Sequence, residues 1–158
     1  WAAHGKQEGR KPNIITSLEL DPSIMEKRNI HLQEKYAEIE ANEVRYEEIN
    51  CDDAEYLIVA FGSCARIAQK AMELARAEGI KVGLLRPITI WPFPSKAIAE
   101  RAKQVKGILT VELNAGQMVE DVQLAVQCSV PVAHFGRLGG IVPAPDEVVE
   151  SLKEKLIK

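Results

Sequence analysis

The pattern of apolar and polar positions predicts a strand, a helix and a second strand within residues 55–94. Residues 56–61 (YLIVAF) form an uninterrupted apolar run with β-branched side chains, which is typical of a strand buried on both faces of a parallel sheet. The Gly62-Ser63 pair predicts a turn followed by a helix N-cap. The next residues repeat apolar side chains at helical spacing: Cys64, Ile67, Ala68, Ala71, Leu74 and Ala75.

The same alternation continues to the carboxyl end of the chain. Gly79 predicts the end of the first helix. Three prolines exclude regular structure between Arg86 and Ser95, where Ser95 predicts a second cap. The remaining pattern predicts strands at 81–85, 107–113 and 130–135 and helices at 95–105, 117–127 and 146–158. This order predicts an α/β fold, a three-layer open sheet that is mostly parallel and has helices on both faces.

The amino-terminal third of the chain has a different pattern of apolar and polar positions. Residues 1–21 lack periodicity and predict a loop or linker. Asp21-Pro22 predicts an N-cap and a first helical residue, from which a helix runs to about Ala41. Residues 44–49 predict a short edge strand. We therefore expect a linker and helix over residues 1–50, leading from a domain upstream, and an α/β domain over residues 51–158.

Composition narrows the class of protein. Of the 158 residues, 46% are hydrophobic and 27% charged, and the net charge is −3, so no basic surface for nucleic acid is indicated. No apolar run has the roughly 18 residues of a membrane span. The three cysteines share no metal-ligand spacing, which argues against an iron–sulfur or zinc site in this chain. We expect a cytoplasmic protein with reduced thiols that binds neither membrane nor nucleic acid.

Candidate functional residues gather where the predicted strands end. Carboxyl ends of parallel strands meet at one edge of a sheet, where ligands and partners bind. The candidate interface or anion-binding edge consists of Gly62, Ser63, Arg66, Arg86, Pro87, Trp91, Asn114, Gln117, Arg137, Gly139 and Gly140.

Each candidate has a structural alternative. The glycine turn binds an anion at a helix N-terminus or simply closes a βα turn. One interpretation of Arg86 and Arg137 is that they clamp a carboxylate or phosphate of a ligand. The other is that they form ion pairs with acids of the same or a neighbouring subunit. Asn114 orients a ligand or caps a helix. Trp91 is an apolar anchor either for a partner or for the chain's own core.

No self-contained active site is visible. Cys64 lies on the apolar stripe of its helix with no histidine nearby, which favours a core residue over a reactive thiol. Neither a phosphate-binding glycine motif nor a catalytic triad is present, and the three histidines lack metal-ligand spacing. We expect no catalytic, cofactor-binding or metal-binding residue.

Four ordered motifs carry a family resemblance. Residues 60–63 (AFGS), 85–94 (LRPITIWPFP), 111–122 (VELNAGQMVEDV) and 136–143 (GRLGGIVP) closely resemble the carboxyl-terminal part of the alpha subunit of 2-oxoacid:ferredoxin oxidoreductases. That region is similar to the transketolase C-terminal domain. The segments NIITSL and LQEKY nearer the amino terminus look more like the subunit for branched-chain 2-oxoacids, such as 3-methyl-2-oxobutanoate, than the 2-oxoglutarate one.

The resemblance implies oxidative decarboxylation of a 2-oxoacid to an acyl-CoA by a whole enzyme. It implies thiamine diphosphate, Mg, iron–sulfur clusters and CoA in other domains or subunits, because the family's Gly-Asp-Gly motif and cluster-binding cysteines are missing here. It also implies beta and gamma or delta-type subunits and ferredoxin as partners, and it leaves a homo-oligomer open. The chain begins at Trp1 and looks like a piece of a longer polypeptide.

Two hypotheses follow. In the first, the chain is an assembly domain of a thiamine-dependent oxidoreductase subunit, inactive alone, with the stretch from Arg86 to Pro94 docking against another domain. In the second, it is a stand-alone flavodoxin-like module that binds a small anion or nucleotide at the strand ends. A weaker third hypothesis is a homodimeric structural protein.

Overall fold

Strands and helices alternate in the order that the hydrophobic pattern predicts. The computed structural model describes residues 8–11 and 18–157. Its elements are α1 (Pro22–Asn42), β1 (Tyr46–Ile49), β2 (Tyr56–Ala60), α2 (Gly62–Ala77), β3 (Val82–Pro87), α3 (Ser95–Ala102), β4 (Gly107–Glu112), α4 (Met118–Val126), β5 (Val132–Gly136), α5 (Pro145–Leu152) and a π-helical turn (Lys153–Ile157). The predicted α/β class is confirmed.

The chain divides into two compact units, Trp1–Glu38 and Ile39–Lys158. The loop predicted over residues 1–21 falls largely outside the described residues. The predicted cap of α1 is confirmed, since the Ser23 backbone N–H donates to Asp21 Oδ1 at 2.8 Å. None of the α1 residues is buried. Within the described ranges, no helix has the length and apolar character needed to cross a membrane.

Five strands form one sheet in the order β1-β3-β2-β4-β5. Strands β2 to β5 are parallel, whereas β1 is antiparallel to β3, with Tyr46 opposite Pro87. The predicted edge position of β1 is confirmed. Two arginines attach this edge strand: Arg86 donates to Glu47 Oε2 at 2.8 Å, and Arg101 Nε donates to Glu48 Oε1 at 2.9 Å.

Helices cover both faces of the sheet, so the core has two halves. Helices α2 and α5 pack on the face that carries Ile58, Leu84 and Leu109. The opposite face carries Leu57, Val59 and Ile108 and contacts α3 and α4. Apolar side chains of β2 alternate between the two halves. This explains why its sequence is apolar at every position, as expected for a strand buried on both faces.

Two local predictions are wrong. Regular structure does not stop before Arg86, because β3 continues through Pro87. The last β2–β3 pair is Val59 with Leu85, so Pro87 lies beyond the stretch in which β3 has strands on both sides. Ser95 does not cap α3 either: Pro94 occupies the N-cap and Ser95 is the first helical residue, with no side-chain cap hydrogen bond.

Candidate functional site

The carboxyl ends of the four parallel strands form a single edge of the sheet, and the start of β1 joins it because β1 runs in the opposite direction. We call this set of strand ends, with the loops that follow them, the carboxyl edge. Every candidate residue predicted from the sequence lies on these loops, at the strand ends or in the first two turns of the helices that follow. The topology therefore brings them to one side of the domain.

At the end of β2, the predicted cap is wrong. Helix α2 begins at Gly62, and its N-cap is Phe61, with no side-chain cap hydrogen bond. Ser63 lies inside the first turn, past the N-cap position, and is exposed. Gly62 has φ of +56° and no atom within 4 Å of an added Cβ, so its role is to admit a left-handed backbone. Arg66 is exposed, with no ion pair among the described residues.

The arginines of the neighbouring loops are paired within the chain. Arg86 bonds Glu47, and Arg137 Nη2 lies 3.1 Å from Glu147 Oε1. Each guanidinium thus already has a carboxylate partner, which is one of the two alternatives drawn from the sequence. An anion at either arginine would have to displace that carboxylate.

The loop after β3 presents Trp91. The Trp91–Pro92 peptide bond is cis, and 54% of the Trp91 surface is exposed. Thr89 holds the loop to the segment before β1, since its Oγ1 accepts from the Arg45 backbone N–H at 2.9 Å. The same hydroxyl donates to the Pro92 carbonyl at 2.9 Å. The tryptophan therefore stands on a tethered loop rather than in the core.

At the end of β4, the decisive residue is Glu112, which the sequence reasoning did not single out. Its carboxylate is 1% exposed and accepts hydrogen bonds from three backbone N–H groups at the start of α4. These come from Gln117 at 3.2 Å, Met118 at 2.8 Å and Val119 at 3.0 Å. A carboxylate at this position satisfies helix donors that otherwise lack partners and complements the helix dipole. The signal in the sequence was an acid closing an apolar strand.

Because Glu112 caps α4, the helix-capping alternative for Asn114 is wrong. Asn114 instead closes the turn: its Oδ1 accepts from the Gly116 backbone N–H at 2.8 Å, and its Nδ2 donates to Gln117 Oε1 at 3.2 Å. The N-terminus of α4 is occupied by a side chain of the protein. It is therefore not an open anion site.

His134 completes this corner from β5. Its Nδ1 lies 3.4 Å from Glu112 Oε1 and 3.2 Å from Thr110 Oγ1. Its Nε2 is buried and has no hydrogen-bond partner among the described atoms. Gly136 makes room for this arrangement, since an added Cβ there would lie 2.1 Å from the Asn114 carbonyl oxygen and 2.6 Å from His134 Nε2. We call Thr110, Glu112 and His134 the buried corner.

The carboxyl edge is also where apolar side chains are exposed. In the unit Ile39–Lys158, the large hydrophobic residues exposed at its surface all lie at this edge, with the single exception of Leu124. They are Val44, Tyr46, Phe61, Ile88, Ile90, Trp91, Leu113, Leu138, Ile141 and Val142. Exposed apolar residues concentrated on one side of a domain mark an interaction surface. Gly139 and Gly140 lie within the apolar loop after β5.

The residues that the structure describes do not form a metal or thiolate site. In the described part of the chain, no group of three His, Cys, Asp or Glu side chains is placed to hold a metal ion. Cys51 and Cys64 lie in the two different halves of the core. Burial raises the pKa of both thiols, and nearby Glu48 and Glu112 raise it further for Cys51 and Cys64 respectively. Both are core residues, as predicted for Cys64.

This architecture is that of the transketolase-like α/β domains. A split-gene transketolase, solved as an inactive beta4 tetramer, superposes with a TM-score of 0.61 at 19% identity, over 72% of this chain and 41% of that one. A second solved structure is a 2-oxoglutarate:ferredoxin oxidoreductase from Magnetococcus marinus, with 2-oxoglutarate, coenzyme A and succinyl-CoA bound. It gives a TM-score of 0.73 at 22% identity, over 87% of this chain and 24% of that chain.

Residues 54–148 match the family described as pyruvate:ferredoxin oxidoreductase core domain II, and the chain belongs to it. A ketoisovalerate oxidoreductase subunit VorB of Methanothermobacter thermautotrophicus is 49% identical over 154 residues, which cover 98% of this chain and 43% of that protein. The chain thus spans less than half the length of this curated relative. The resemblance found in the sequence motifs is confirmed.

Proposed function

We propose that this chain is the assembly domain of a 2-oxoacid:ferredoxin oxidoreductase subunit that acts on a branched-chain 2-oxoacid in the cytoplasm. Its role is to hold the cofactor-binding domains and the other subunits in register through the carboxyl edge. The observation that carries this proposal is the concentration of exposed apolar side chains on that edge. The 49% sequence identity to a VorB subunit, over 98% of this chain, supports the branched-chain substrate class.

The chain's own residues do not fit the cofactors that the family implies. An iron–sulfur cluster needs about four thiolates, whereas this chain has three cysteines and two of them are buried on opposite faces of the sheet. The family's Gly-Asp-Gly motif for the thiamine diphosphate group is absent from the sequence. The chemistry of the whole enzyme therefore belongs to other domains or subunits.

The alternative, a stand-alone anion-binding module, has little support. Arg86 and Arg137 are paired with carboxylates of the same chain, and Glu112 occupies the N-terminus of α4. Gly62 and Arg66 remain at the open start of α2, but nothing else on that side points to a ligand.

Surface substitutions in the complete enzyme test the assembly role. Ile141→Asp places a charge in the apolar edge, so the subunit should lose its partner subunits on size-exclusion chromatography while its own melting temperature changes little. Leu124→Asp is the matched control, because Leu124 is 75% exposed but lies late in α4, away from the carboxyl edge. If Ile141→Asp and Leu113→Asp both assemble like Leu124→Asp, the proposal is wrong.

A further inference from the structure

Two neighbouring loops of the carboxyl edge carry a group of exposed apolar side chains. Strands β4 and β5 end side by side, since Glu112 lies opposite Gly136 and the Arg137 backbone N–H donates to the Glu112 carbonyl at 3.3 Å. The loops that follow therefore leave the sheet next to each other. Their exposed apolar residues, which we call the β4–β5 patch, are Leu113, Leu138, Ile141 and Val142.

The carboxylate of Glu147 closes the longer of these loops. Its Oε1 lies 3.1 Å from Arg137 Nη2 at the start of the loop, and its Oε2 accepts from the Ala144 backbone N–H at 2.8 Å at the end. Within the loop, the Ile141 backbone N–H donates to the Leu138 carbonyl at 3.3 Å. A loop held in this way loses less conformational freedom when a partner binds, which favours binding through its apolar side chains.

Unpaired acids flank the β4–β5 patch on both faces of the sheet. Helix α4, on one face, carries Glu120 and Asp121 in its first turn, and α5, on the opposite face, carries Asp146. All three are exposed and have no ion pair among the residues that the structure describes. The fourth acid of these first turns, Glu147, is neutralised by Arg137.

The charge on this side of the carboxyl edge is therefore negative. In the first two turns of α2, α4 and α5, all within the described ranges, Arg66 is the one base. An acid in a first turn also complements the dipole of its own helix, but that local role leaves its charge exposed to a partner. At the β1 side, by contrast, Arg45 pairs with Glu43 and Arg86 with Glu47. The unbalanced acids thus lie beside the β4–β5 patch.

We propose that the β4–β5 patch binds a basic surface of a different subunit, one that presents apolar side chains between lysine or arginine residues. Its apolar side chains cover Leu113, Leu138 and Ile141, and its cations face Glu120 and Asp146. A second copy of this chain does not fit, because the same acids would then oppose one another across the contact. This proposal rests on the proposed function, since it takes the carboxyl edge as an assembly surface, and it adds the half of the edge that binds and the charge of the partner.

Association kinetics of the full-length subunit with the other subunits of the enzyme test the charge of the partner. Charges at the rim of an interface mainly change the association rate and its salt dependence. In the variant Glu120→Gln with Asp146→Asn, the association rate at low ionic strength, measured by biolayer interferometry, should fall at least about fivefold, while the dissociation rate changes little. These substitutions keep the size of each side chain, so a slower association reports the lost charge.

The matched control is the variant Glu150→Gln with Glu154→Gln. It also removes two exposed acids that have no ion pair in the part of the chain that the structure describes. They lie near the end of α5 and in the π-helical turn after it, away from the carboxyl edge. This variant should associate at the rate of the wild type. A loss of rate equal to that of the first variant would overturn the proposal, because net charge alone would then explain both.

Charge reversal tests the sign of the salt dependence. Salt screens attraction, so association of the wild type should slow as salt is added. In the variant Glu120→Lys with Asp146→Lys the contact becomes repulsive, and added salt should speed association instead. Faster association of this variant than of the wild type at low ionic strength would overturn the proposal, because the partner surface would then be acidic.

The outcomes separate the basic partner from the assembly function. Wild-type association rates in both the neutral and the reversed variant, together with loss of assembly in Ile141→Asp, would overturn the basic partner and leave the assembly role intact. Normal assembly of both Ile141→Asp and Leu113→Asp would overturn the two together.

Discussion

The carboxylate of Glu112 lies 3.4 Å from Nδ1 of His134, and the same carboxylate accepts three backbone hydrogen bonds from the first turn of α4. One buried side chain therefore links the ends of β4 and β5 to the start of a helix. The loops that carry Asn114 and Arg137 begin at this buried corner. These contacts fix where the two loops begin at that half of the carboxyl edge.

Glu112→Ala should destabilise the domain by roughly 3 kcal/mol, because three backbone N–H groups, that of the buried Met118 among them, lose their acceptor. Urea unfolding monitored by circular dichroism measures the change. Glu112→Gln retains one acceptor oxygen and should lose less. As a control, Glu120→Ala alters an exposed acid of the same helix and should cost under about 0.5 kcal/mol. Equal effects for Glu112→Ala and Glu120→Ala would contradict the role of the buried carboxylate.

Gly136→Ala should cost more than about 3 kcal/mol, since the new Cβ meets a backbone oxygen that cannot move aside as a flexible side chain does. Gly139→Ala is the comparison: its added Cβ has open space, but φ is +64°, so a cost of about 1 kcal/mol from backbone strain is expected. Thermal unfolding of the two variants side by side tests this order. A Gly136→Ala variant as stable as Gly139→Ala would show that the corner has room.

The contact between Asp53 and Arg76 should make the free energy of unfolding depend on pH. The hydrogen bond of Asp53 with Arg76 lowers the pKa of this carboxyl below its ordinary value. A carboxyl whose folded pKa is lowered contributes stability that is present above the unfolded pKa, about 3.9, and is lost as the pH falls through the folded pKa.

Unfolding of the wild type and of Asp53→Asn should therefore differ at pH 7, and the difference should shrink as the pH falls below about 4. The control variant Glu154→Gln removes an exposed carboxylate that has no ion pair in the described part of the chain, and at pH 7 it should be as stable as the wild type. A difference for Asp53→Asn that stays constant down to low pH would rule out the Arg76 contact as its cause.

Thiol reactivity should separate the three cysteines. Cys51 and Cys64 are buried with a raised pKa, whereas Cys128 is exposed. At pH 8, iodoacetamide should modify Cys128 within minutes and leave the other two unmodified until the protein unfolds. Mass spectrometry after proteolysis locates the adducts, and Cys128→Ser should abolish the early labelling. Rapid labelling of Cys64 in the folded protein would contradict its place in the core.

The local sequence pattern was sufficient to predict those features that depend only on residues close together in the chain. The buried run of β2, the apolar stripe of α2 and the Asp21 cap of α1 all follow from spacing within a few residues. The helix caps within the α/β domain could not be predicted in this way. The neighbouring residues favoured a cap at Ser63, Ser95 and Asn114. However, α2 begins one residue before Ser63, and Pro94 occupies the N-cap position before Ser95. The start of α4 is capped by Glu112, which comes from the end of a strand.

The sequence by itself determined the fold class, the order of elements, the carboxyl edge and the family, because periodicity, turn residues and ordered motifs are local properties. Tertiary structure decided which groups meet at that edge. The strand order places β5 beside β4, and this pairing brings His134 to Glu112. The antiparallel return of β1 places Tyr46 and Trp91 around the same concave surface. Both arrangements depend on strand order, which no local pattern encodes.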